Sequence, residues 1–321
     1  MNQEFKAKLI ETNFNHIKGQ RRAKHQLKSA LLMSRHVIIL GPPGIGKTTL
    51  ARNLAQLLPA ITVKQKIEGK EVTKKITGEE RFIRIQGSPD LNVEDLLGDI
   101  DPIKALKYGP TSMEAFTPGK IFKADKGILF FDELNRCPEK LQNALLQVLE
   151  EGKATLGSYT VDFPVEFIFI GTMNPEESAA TEKLSDVLLD RFDIVHMGYP
   201  EALEIEQEII KEKGQQLAEF SDALLMLSIS FIRQLREHKD ILRKPSVRAT
   251  LGLYERAQAN AYLAKRKKVE PTDIIDALLS VLAHRIELKP SVKYLQTNEQ
   301  FLKEQFQKFA EEHSELGGDG L

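Results

Sequence analysis

Short apolar runs and amphipathic stretches alternate along the first 200 residues of the chain. Residues 37–40 are entirely apolar, as expected of a strand that is buried on both faces of a sheet. Segments rich in apolar residues at 82–86, 128–131 and 165–170 predict three more strands, and residues 194–197 predict a fifth. Helices are predicted between these strands. Because strands alternate with helices, the pattern indicates an α/β unit with a parallel sheet.

The chain beyond about residue 199 carries no strand pattern and is predicted to be helical. Amphipathic helices are predicted at 202–214, 219–239, 246–265 and 271–287, where apolar residues recur every three or four positions. A run of helices after an α/β unit cannot extend the same sheet. The pattern therefore indicates a second domain.

We predict two domains and a tail. An α/β core would span residues 1–200 and a helical domain residues 201–310, followed by a flexible segment at 311–321. Insertions into the core are predicted near 61–125 and 153–163, where hairpins and short helical pieces interrupt the strand–helix pattern.

Composition narrows the class of protein. The 321 residues include 45 basic and 46 acidic side chains, so a formal net charge of −1 gives no global attraction to nucleic acid or membrane surfaces. No apolar run approaches the roughly 20 residues that a membrane span needs, and the N-terminus lacks the apolar segment of a signal peptide. Cys137 is the single cysteine, and the histidines are scattered, so no disulfide framework or zinc site is predicted. We expect a cytoplasmic protein.

A glycine-rich loop follows the first strand. Residues 41–48 read GPPGIGKT and match the pattern G-x-x-x-x-G-K-[ST] between a predicted strand and a predicted helix. Glycines there allow successive N–H groups to turn towards an anion, and the helix dipole adds positive potential. Lys47 should reach the β- and γ-phosphates of a nucleotide, and the Thr48 hydroxyl should ligate Mg²⁺. The predicted nucleotide-binding residues of this loop are Gly41, Pro42, Pro43, Gly44, Ile45, Gly46, Lys47, Thr48 and Thr49.

The apolar run at 128–131 leads directly into two carboxylates, Asp132 and Glu133. Nucleotidases with such a loop need an acid near the metal, and we expect its strand to lie beside the loop strand. Asp132 would join the nucleotide and the Mg²⁺ shell at the carboxyl end of that strand. Glu133 would orient and deprotonate the attacking water. The alternative is a surface Asp-Glu pair without a catalytic role.

These motifs resemble the AAA+ ATPases, and more closely their MoxR and magnesium-chelatase I-subunit branch, over about residues 5–290. The resemblance implies a P-loop NTPase αβα sandwich followed by an all-helical AAA+ lid. HIKGQ at 16–20 is similar to the element that lines the adenine pocket, which would place Ile17 and Gln20 there. TMNP resembles the sensor 1 motif, in which Asn174 would position the water. A turn asparagine before proline is the alternative.

Two arginines are assigned through the same resemblance. LDRFD is similar to the segment that carries an arginine finger, so Arg191 would reach the γ-phosphate in the next subunit. A helix-end arginine that interacts with the dipole is the alternative. PSVRA resembles the sensor 2 region at the start of a lid helix, and Arg248 would contact nucleotide in its own or a neighbouring subunit. In the predicted hairpin, Tyr159 or Phe163 would grip a substrate or simply pack.

The resemblance implies an ATP-hydrolysing ring motor, most simply a hexamer, with ATP and Mg²⁺ as cofactors. A chaperone-like remodelling role or assistance in metal insertion would follow, together with a partner that bears a von Willebrand factor A domain. The alternative is a nucleic-acid-associated motor of helicase type, against which the near-neutral charge and the lack of an added DNA-binding domain argue. A nucleotide-dependent scaffold without turnover is a third possibility, and the presence of Glu133 and Asn174 argues against it.

Overall fold

The computed structural model describes residues 2–67, 70–109, 112–155, 162–174 and 184–313. Contacts within the chain divide it into two compact units. The first unit comprises Met1–Gly41 and Gly46–Met197, and the second comprises Pro42–Ile45 and Gly198–Leu321. In the described part of the chain no helix combines the length and the apolar character needed to cross a membrane.

The first unit alternates strands and helices. Its strands are β1 (His36–Leu40), β2 (Ile61–Ile67), β3 (Lys70–Ile76), β4 (Phe82–Gln86), β5 (Gly98–Ile100), β6 (Phe116–Pro118), β7 (Ile128–Asp132), β8 (Lys153–Thr155), β9 (Asp162–Pro164), β10 (Ile168–Met173) and β11 (Phe192–His196). Its helices are α1 (Gln3–Glu11), α2 (Arg21–Leu32), α3 (Lys47–Leu57), α4 (Val93–Leu97), α5 (Pro102–Tyr108), α6 (Lys120–Lys123), α7 (Glu139–Glu151) and α8 (Asp186–Leu189). All five predicted sheet strands are therefore present.

The main sheet has five parallel strands in the order β11-β1-β10-β7-β4. The parallel α/β fold predicted from the sequence is confirmed. One detail of that prediction is wrong, because β7 does not lie beside β1. Strand β10 pairs with both and separates them. The crossover connections set the strand order, and the local apolar pattern carries no information about them.

The core of this sheet explains how an apolar run can lead into charged residues. Val37, Ile38 and Ile39 of β1 are fully buried, as are Phe130 and Phe131 of β7. Burial ends at Asp132, the last residue of β7, whose side chain is 15% exposed. The run is thus a core strand whose carboxyl end reaches the edge of the sheet, where ligands bind in open α/β sheets.

Among the described residues of this unit, three further pairs of strands are antiparallel: β2 with β3, β5 with β6, and β8 with β9. Strands β2 and β3 form a hairpin within the insertion expected near 61–125, and β8 pairs with β9 in the one expected near 153–163. The turn between β8 and β9, with Tyr159, lies outside the described residues. Phe163 belongs to β9, and its predicted role in gripping a substrate stays a prediction.

The second unit is helical, as predicted, with one addition. Its helices are α9 (Leu203–Lys213), α10 (Asp222–Glu237), α11 (Val247–Leu263), α12 (Pro271–Leu282), α13 (Pro290–Lys293) and α14 (Asn298–Glu312). Contrary to the expectation of no strand beyond residue 199, β12 (Ile241–Arg243) pairs with β13 (Glu287–Leu288) in a short ribbon. Strands this short lack the alternation that a sequence pattern can show.

His36, the first residue of β1, is half-buried beside the rings of Phe167 and Phe169. Its Nδ1 accepts a hydrogen bond from the N–H of Phe169 at 3.2 Å, so this nitrogen carries no proton. Burial, helped by the nearby charge of Arg35, lowers the pKa of His36 from 6.5 to about 4. The folded chain therefore resists protonation at this position.

This lowered pKa predicts a loss of stability in mild acid. Between pH 6.5 and about 4 the unfolded chain carries a proton on His36 that the folded chain does not. The unfolding free energy therefore decreases as the pH is lowered through this range. Because a pKa difference of one corresponds to about 1.4 kcal/mol, the loss of unfolding free energy reaches about 3 kcal/mol at pH 4. Urea unfolding of the wild type and of His36→Gln at pH 7.5, 5.5 and 4.5 measures it. If the unfolding free energies of the two proteins changed with pH by the same amount across this range, the lowered pKa of His36 would be contradicted.

Candidate active site

The loop between β1 and α3 has the backbone geometry of an anion cradle. Gly44 and Gly46 have φ of 77° and 96°, in the left-handed region that glycine favours. Helix α3 begins at Lys47, directly after Gly46. The N–H groups of the first helical turn have no intrahelical acceptors, and the dipole makes that end positive. The loop therefore offers several donors to an anionic ligand.

The ammonium group of Lys47 lies where β1 and β10 end. Its Nζ donates to the carbonyl oxygen of Gly41 and, at 3.3 Å, to that of Met173. The N–H of Gly41 donates to the same Met173 oxygen at 3.1 Å. These bonds hold the start of the loop against β10. Of the remaining predicted loop residues, Pro42 is buried, Ile45 and Thr48 are half-buried, and Pro43 and Thr49 are exposed.

The two predicted adenine-pocket residues precede this loop in the chain. Ile17 is buried and touches the loop, since a Cβ added at Gly46 would lie 3.2 Å from its Cδ1. Gln20 is buried and adopts φ of 55° at the cap of α2. The structure thus brings Ile17 next to the phosphate loop. Gln20 directly precedes α2.

Asp132 is held by one side chain from each neighbouring strand. Its Oδ1 accepts from Thr172 Oγ1 of β10 at 2.6 Å, and its Oδ2 accepts from Arg84 Nη2 of β4 at 2.6 Å. Thr172 is buried, whereas Arg84 is partly exposed. The carboxylate is therefore oriented at the edge of the sheet, with Arg84 balancing its charge.

Glu133 follows in an unusual backbone conformation. Its φ is 55°, which is uncommon outside glycine, and its N–H donates to Thr172 Oγ1 at 3.0 Å. Its Oε2 accepts from Gln86 Nε2 at 2.8 Å and pairs with Arg136 Nη1 at 3.2 Å. Left-handed non-glycine residues cluster at functional sites, where surrounding contacts hold them in place. Here Thr172 fixes the backbone while two donors hold the side chain.

Gly87 makes this arrangement sterically possible. Its N–H donates to the Asp132 carbonyl oxygen at 2.7 Å. A Cβ added at Gly87 would lie 2.0 Å from the carbonyl oxygen of Glu133, far inside van der Waals contact. Strand β4 can therefore approach the two carboxylates only because residue 87 has no side chain.

Asn174 lies just beyond the end of β10 and is buried. Since Gly171 pairs with Phe131 in the parallel register, Asn174 and Asp132 emerge at the same edge of the sheet. The ends of β1, β7 and β10 thus bring Lys47, the acid pair and Asn174 to one edge of the sheet.

The two predicted arginines come from later segments of the chain. Arg191 follows α8, and Glu150 of α7 accepts from its Nε at 2.9 Å. That hydrogen bond and the charge of Glu150 raise the pKa of Arg191. Arg248 lies in the second unit, exposed in the first turn of α11. Within that unit, which includes Pro42–Ile45, a Cβ added at Gly44 would lie 3.0 Å from Arg248 Cγ.

Comparison with known families decides what kind of protein this is. Residues 13–183 match the family model described as magnesium chelatase, subunit ChlI, and residues 233–305 match the one described as AAA lid domain. The chain belongs to the magnesium chelatase subunit ChlI family. The predicted resemblance to AAA+ ATPases of the MoxR and magnesium-chelatase branch is confirmed.

Individual relatives agree with this assignment. The uncharacterized protein YeaC of Bacillus subtilis is 30% identical over 290 residues, which cover 83% of this chain and 82% of YeaC. Chaperone MoxR1 of Mycobacterium tuberculosis is 27% identical over 303 residues, covering 85% and 73% of the two chains. The solved RuvB Holliday junction branch migration motor of Thermotoga maritima has a TM-score of 0.51 at 19% identity, over 86% and 74%. At that identity the likeness to RuvB shows the fold alone.

Four side chains that organise the acid pair in this ChlI-family chain do not stand out in the sequence: Arg84, Gln86, Arg136 and Thr172. A signal for the first two was present, since residues 84 and 86 are polar at alternate positions of one strand and so share a face. Their importance depends on β4 lying beside β7, which the sequence does not reveal.

The residues of this site fit a nucleotide-bound Mg²⁺. Magnesium usually keeps several waters and takes one or two protein ligands together with substrate phosphates. Thr48 and Asp132 are a hydroxyl and a carboxylate of that kind. Among the described residues no group of three or more His, Cys, Asp and Glu side chains could hold a metal ion by itself. The donor set therefore suits an ion that arrives with phosphate, not a closed protein cage.

Proposed function

We propose that this ChlI-family chain is an ATPase that works as a ring-forming AAA+ motor. The observation that carries the proposal is the meeting of Lys47, Asp132, Glu133 and Asn174 at the ends of three neighbouring parallel strands. A cation, two carboxylates and an amide beside a phosphate-binding loop are the groups that phosphoryl transfer to water requires.

The residues would divide the reaction as follows. The loop amides and Lys47 would bind the β- and γ-phosphates, and Thr48 with Asp132 would hold Mg²⁺, which neutralises charge on those phosphates when bound. Glu133 would accept a proton from the attacking water, and Asn174 would orient that water. Ile17 and Gln20 would line the adenine pocket. Arg191 of an adjacent subunit would stabilise the charge that develops on the γ-phosphate, and Arg248 would contact the nucleotide.

The proposed assembly is a homo-oligomeric ring, most simply a hexamer, that couples hydrolysis to remodelling of another protein or to metal insertion. The name of the relative MoxR1, a chaperone, and the family name, a magnesium chelatase subunit, support these two roles. A partner with a von Willebrand factor A domain is proposed on the resemblance to the MoxR and magnesium-chelatase branch.

Phosphate release by the purified chain tests this proposal. With Mg²⁺ and ATP we expect turnover that rises steeply with protein concentration as rings form, and sedimentation should show a larger species in ATP. Removal of Mg²⁺ with a chelator should stop phosphate release. Absence of phosphate release at concentrations where the larger species is present would contradict the proposal.

A nucleic-acid motor is the second candidate, favoured only by the fold shared with RuvB. The near-neutral formal charge of −1 speaks against it. Titration of DNA at increasing salt discriminates the two, because binding through phosphate contacts weakens steeply as salt rises. Tight, salt-sensitive DNA binding that stimulates turnover would favour the second candidate.

Arg191→Ala is expected to bind ATP normally and to lose at least about 1,000-fold in turnover, the range reported for removal of an arginine finger. The reason is that Arg191 would act on the nucleotide of a neighbour. Mixing with Lys47→Ala subunits, which lack their own site but retain Arg191, should restore part of the phosphate release. Turnover at a series of mixing ratios measures this.

The matched control for that mixture is Lys47→Ala combined with Arg191→Ala in one chain, which supplies neither a site nor a finger. It should restore nothing. Equal recovery with both partners, or no recovery with either, would count against action between subunits.

A further inference from the structure

A buried carboxylate lies at the centre of the second unit. Glu206 of α9 is 0% exposed, and it binds two residues that are 2% and 1% exposed, Arg236 of α10 and Thr250 of α11. Arg236 donates through Nη1 and Nη2 to the two carboxylate oxygens, each at 2.7 Å. Thr250 Oγ1 donates to Glu206 Oε1 at 2.6 Å. We call Glu206, Arg236 and Thr250 the buried triad.

The triad also reaches the start of α11. Arg236 Nε donates to the carbonyl oxygen of Pro245 at 2.8 Å. Pro245 lies just before the helix and Thr250 lies within its first turns. The triad therefore holds the start of α11 through Pro245 and Thr250, which lie on either side of Arg248 in the sequence.

A third connection joins the triad to the segment that enters this unit. The Arg236 guanidinium lies over the ring of Tyr199 at 4.6 Å. Arg233 lies one turn earlier on α10. Its Nη1 lies 3.7 Å from Glu206 Oε2 and donates to the carbonyl oxygen of Pro200 at 2.8 Å. The entry segment 199–201 and the start of α11 are thus tied to the same buried charges.

Arg248 itself occupies an electrostatically unfavourable position. It is exposed between buried Val247 and Ala249, and it lies in a first helical turn, where a cation is disfavoured by the helix dipole. Arg285 adds a second positive charge nearby, and burial together with Arg248 lowers the pKa of Arg285. The triad that holds the start of α11 is buried, whereas Arg248 is an exposed cation in an unfavourable position. This combination indicates that the position of Arg248 matters.

We propose that Glu206, Arg236 and Thr250 are positioning residues that fix Arg248 relative to the entry segment 199–201. This inference rests on the proposed function, in which Arg248 contacts nucleotide. Directional hydrogen bonds between opposite charges define one geometry, which an apolar contact of the same size does not. The triad would act on turnover only through Arg248, since its own three side chains are buried.

The test replaces both members of the ion pair, so that neither Glu206 nor Arg236 is left buried without the other. Glu206→Leu together with Arg236→Met should keep the fold, because apolar replacement of a buried pair is often neutral for stability. The matched control is Arg266→Met with Asp273→Leu, which removes another two-bond pair, at 2.8 and 2.7 Å, beyond the other end of α11. Thr250→Val is a milder variant that keeps the ion pair.

Two measurements report on the triad variant. Hydrogen exchange should become at least about tenfold faster in both 199–203 and 245–252, and the control pair should leave these segments unchanged. Turnover number should fall about 10- to 100-fold, as for a misplaced group, with little change in KM for ATP. In an Arg248→Ala background the triad replacement should cost no further turnover, because coupled residues are not additive. Thr250→Val should show the same effects in smaller degree.

Unchanged exchange at 245–252, or unchanged turnover in a folded triad variant, would overturn the inference. A loss of turnover that persists at full size in the Arg248→Ala background would also overturn it, since the triad would then act by another route. If the wild-type chain released no phosphate, the proposed function would fail. The exchange measurement alone would then decide whether the triad fixes the start of α11.

Discussion

Lys47→Ala is expected to weaken ATP binding at least about 100-fold, because a hydrogen bond to a charged group contributes about 1.5–3 kcal/mol and Lys47 would make at least two to phosphates. Its Nζ already lies at the ends of β1 and β10, against the carbonyl oxygens of Gly41 and Met173. Alanine removes the ammonium group while helix α3 keeps a good helix former at its first position. Titration with a fluorescent ATP analogue measures the loss of affinity.

The control for this variant is Lys303→Ala, which removes the same charge from an exposed position of α14. Its ATP affinity should equal that of the wild type. Both variants should have melting temperatures close to the wild type in the absence of nucleotide. Tight ATP binding by Lys47→Ala would refute the assignment of the phosphate loop.

Glu133→Gln is expected to bind ATP with nearly unchanged affinity and to release phosphate about 100- to 10,000-fold more slowly, the contribution of a general base. An amide cannot take a proton from water. It can still accept hydrogen bonds from Gln86 and Arg136 through its oxygen, so the local structure should persist. Affinity and phosphate release measured on the same preparation separate binding from chemistry.

Glu139→Gln is the control for Glu133→Gln, since Glu139 is exposed in the first turn of α7 and makes the same change of charge. It should turn over ATP at the wild-type rate. Turnover near the wild-type rate in Glu133→Gln would exclude Glu133 as the base. If hydrolysis is arrested as expected, the ATP-bound variant becomes a trap, and a pulldown with it should retain the protein on which the motor acts.

Local patterns were sufficient to predict much of this chain. The apolar run at 37–40, the glycines of the phosphate loop and the acid pair after 128–131 depend on neighbours within a few residues. Physical rules of burial, backbone freedom and helix dipoles act at that range. The five strands, the loop and the helical second unit follow from such rules.

The parts that could not be predicted depend on distant pairings. Strand β10 lies between β1 and β7, and Thr172 therefore bridges Asp132 and Glu133. Nothing near residue 172 in the sequence indicates this. The same holds for Arg191, whose partner Glu150 lies on another helix, and for the buried triad, whose members come from three helices. Each depends on tertiary packing that brings remote segments together.

The close approach of Gly87 to Glu133 has a consequence for reading mutational scans of this protein. Any side chain at residue 87 must displace the peptide group that follows Glu133, and with it the direction of the carboxylate. Saturation mutagenesis should therefore recover only glycine among active clones. A substitution at residue 87 would produce the phenotype of a damaged catalytic base, although glycine has no side chain that could take part in the reaction.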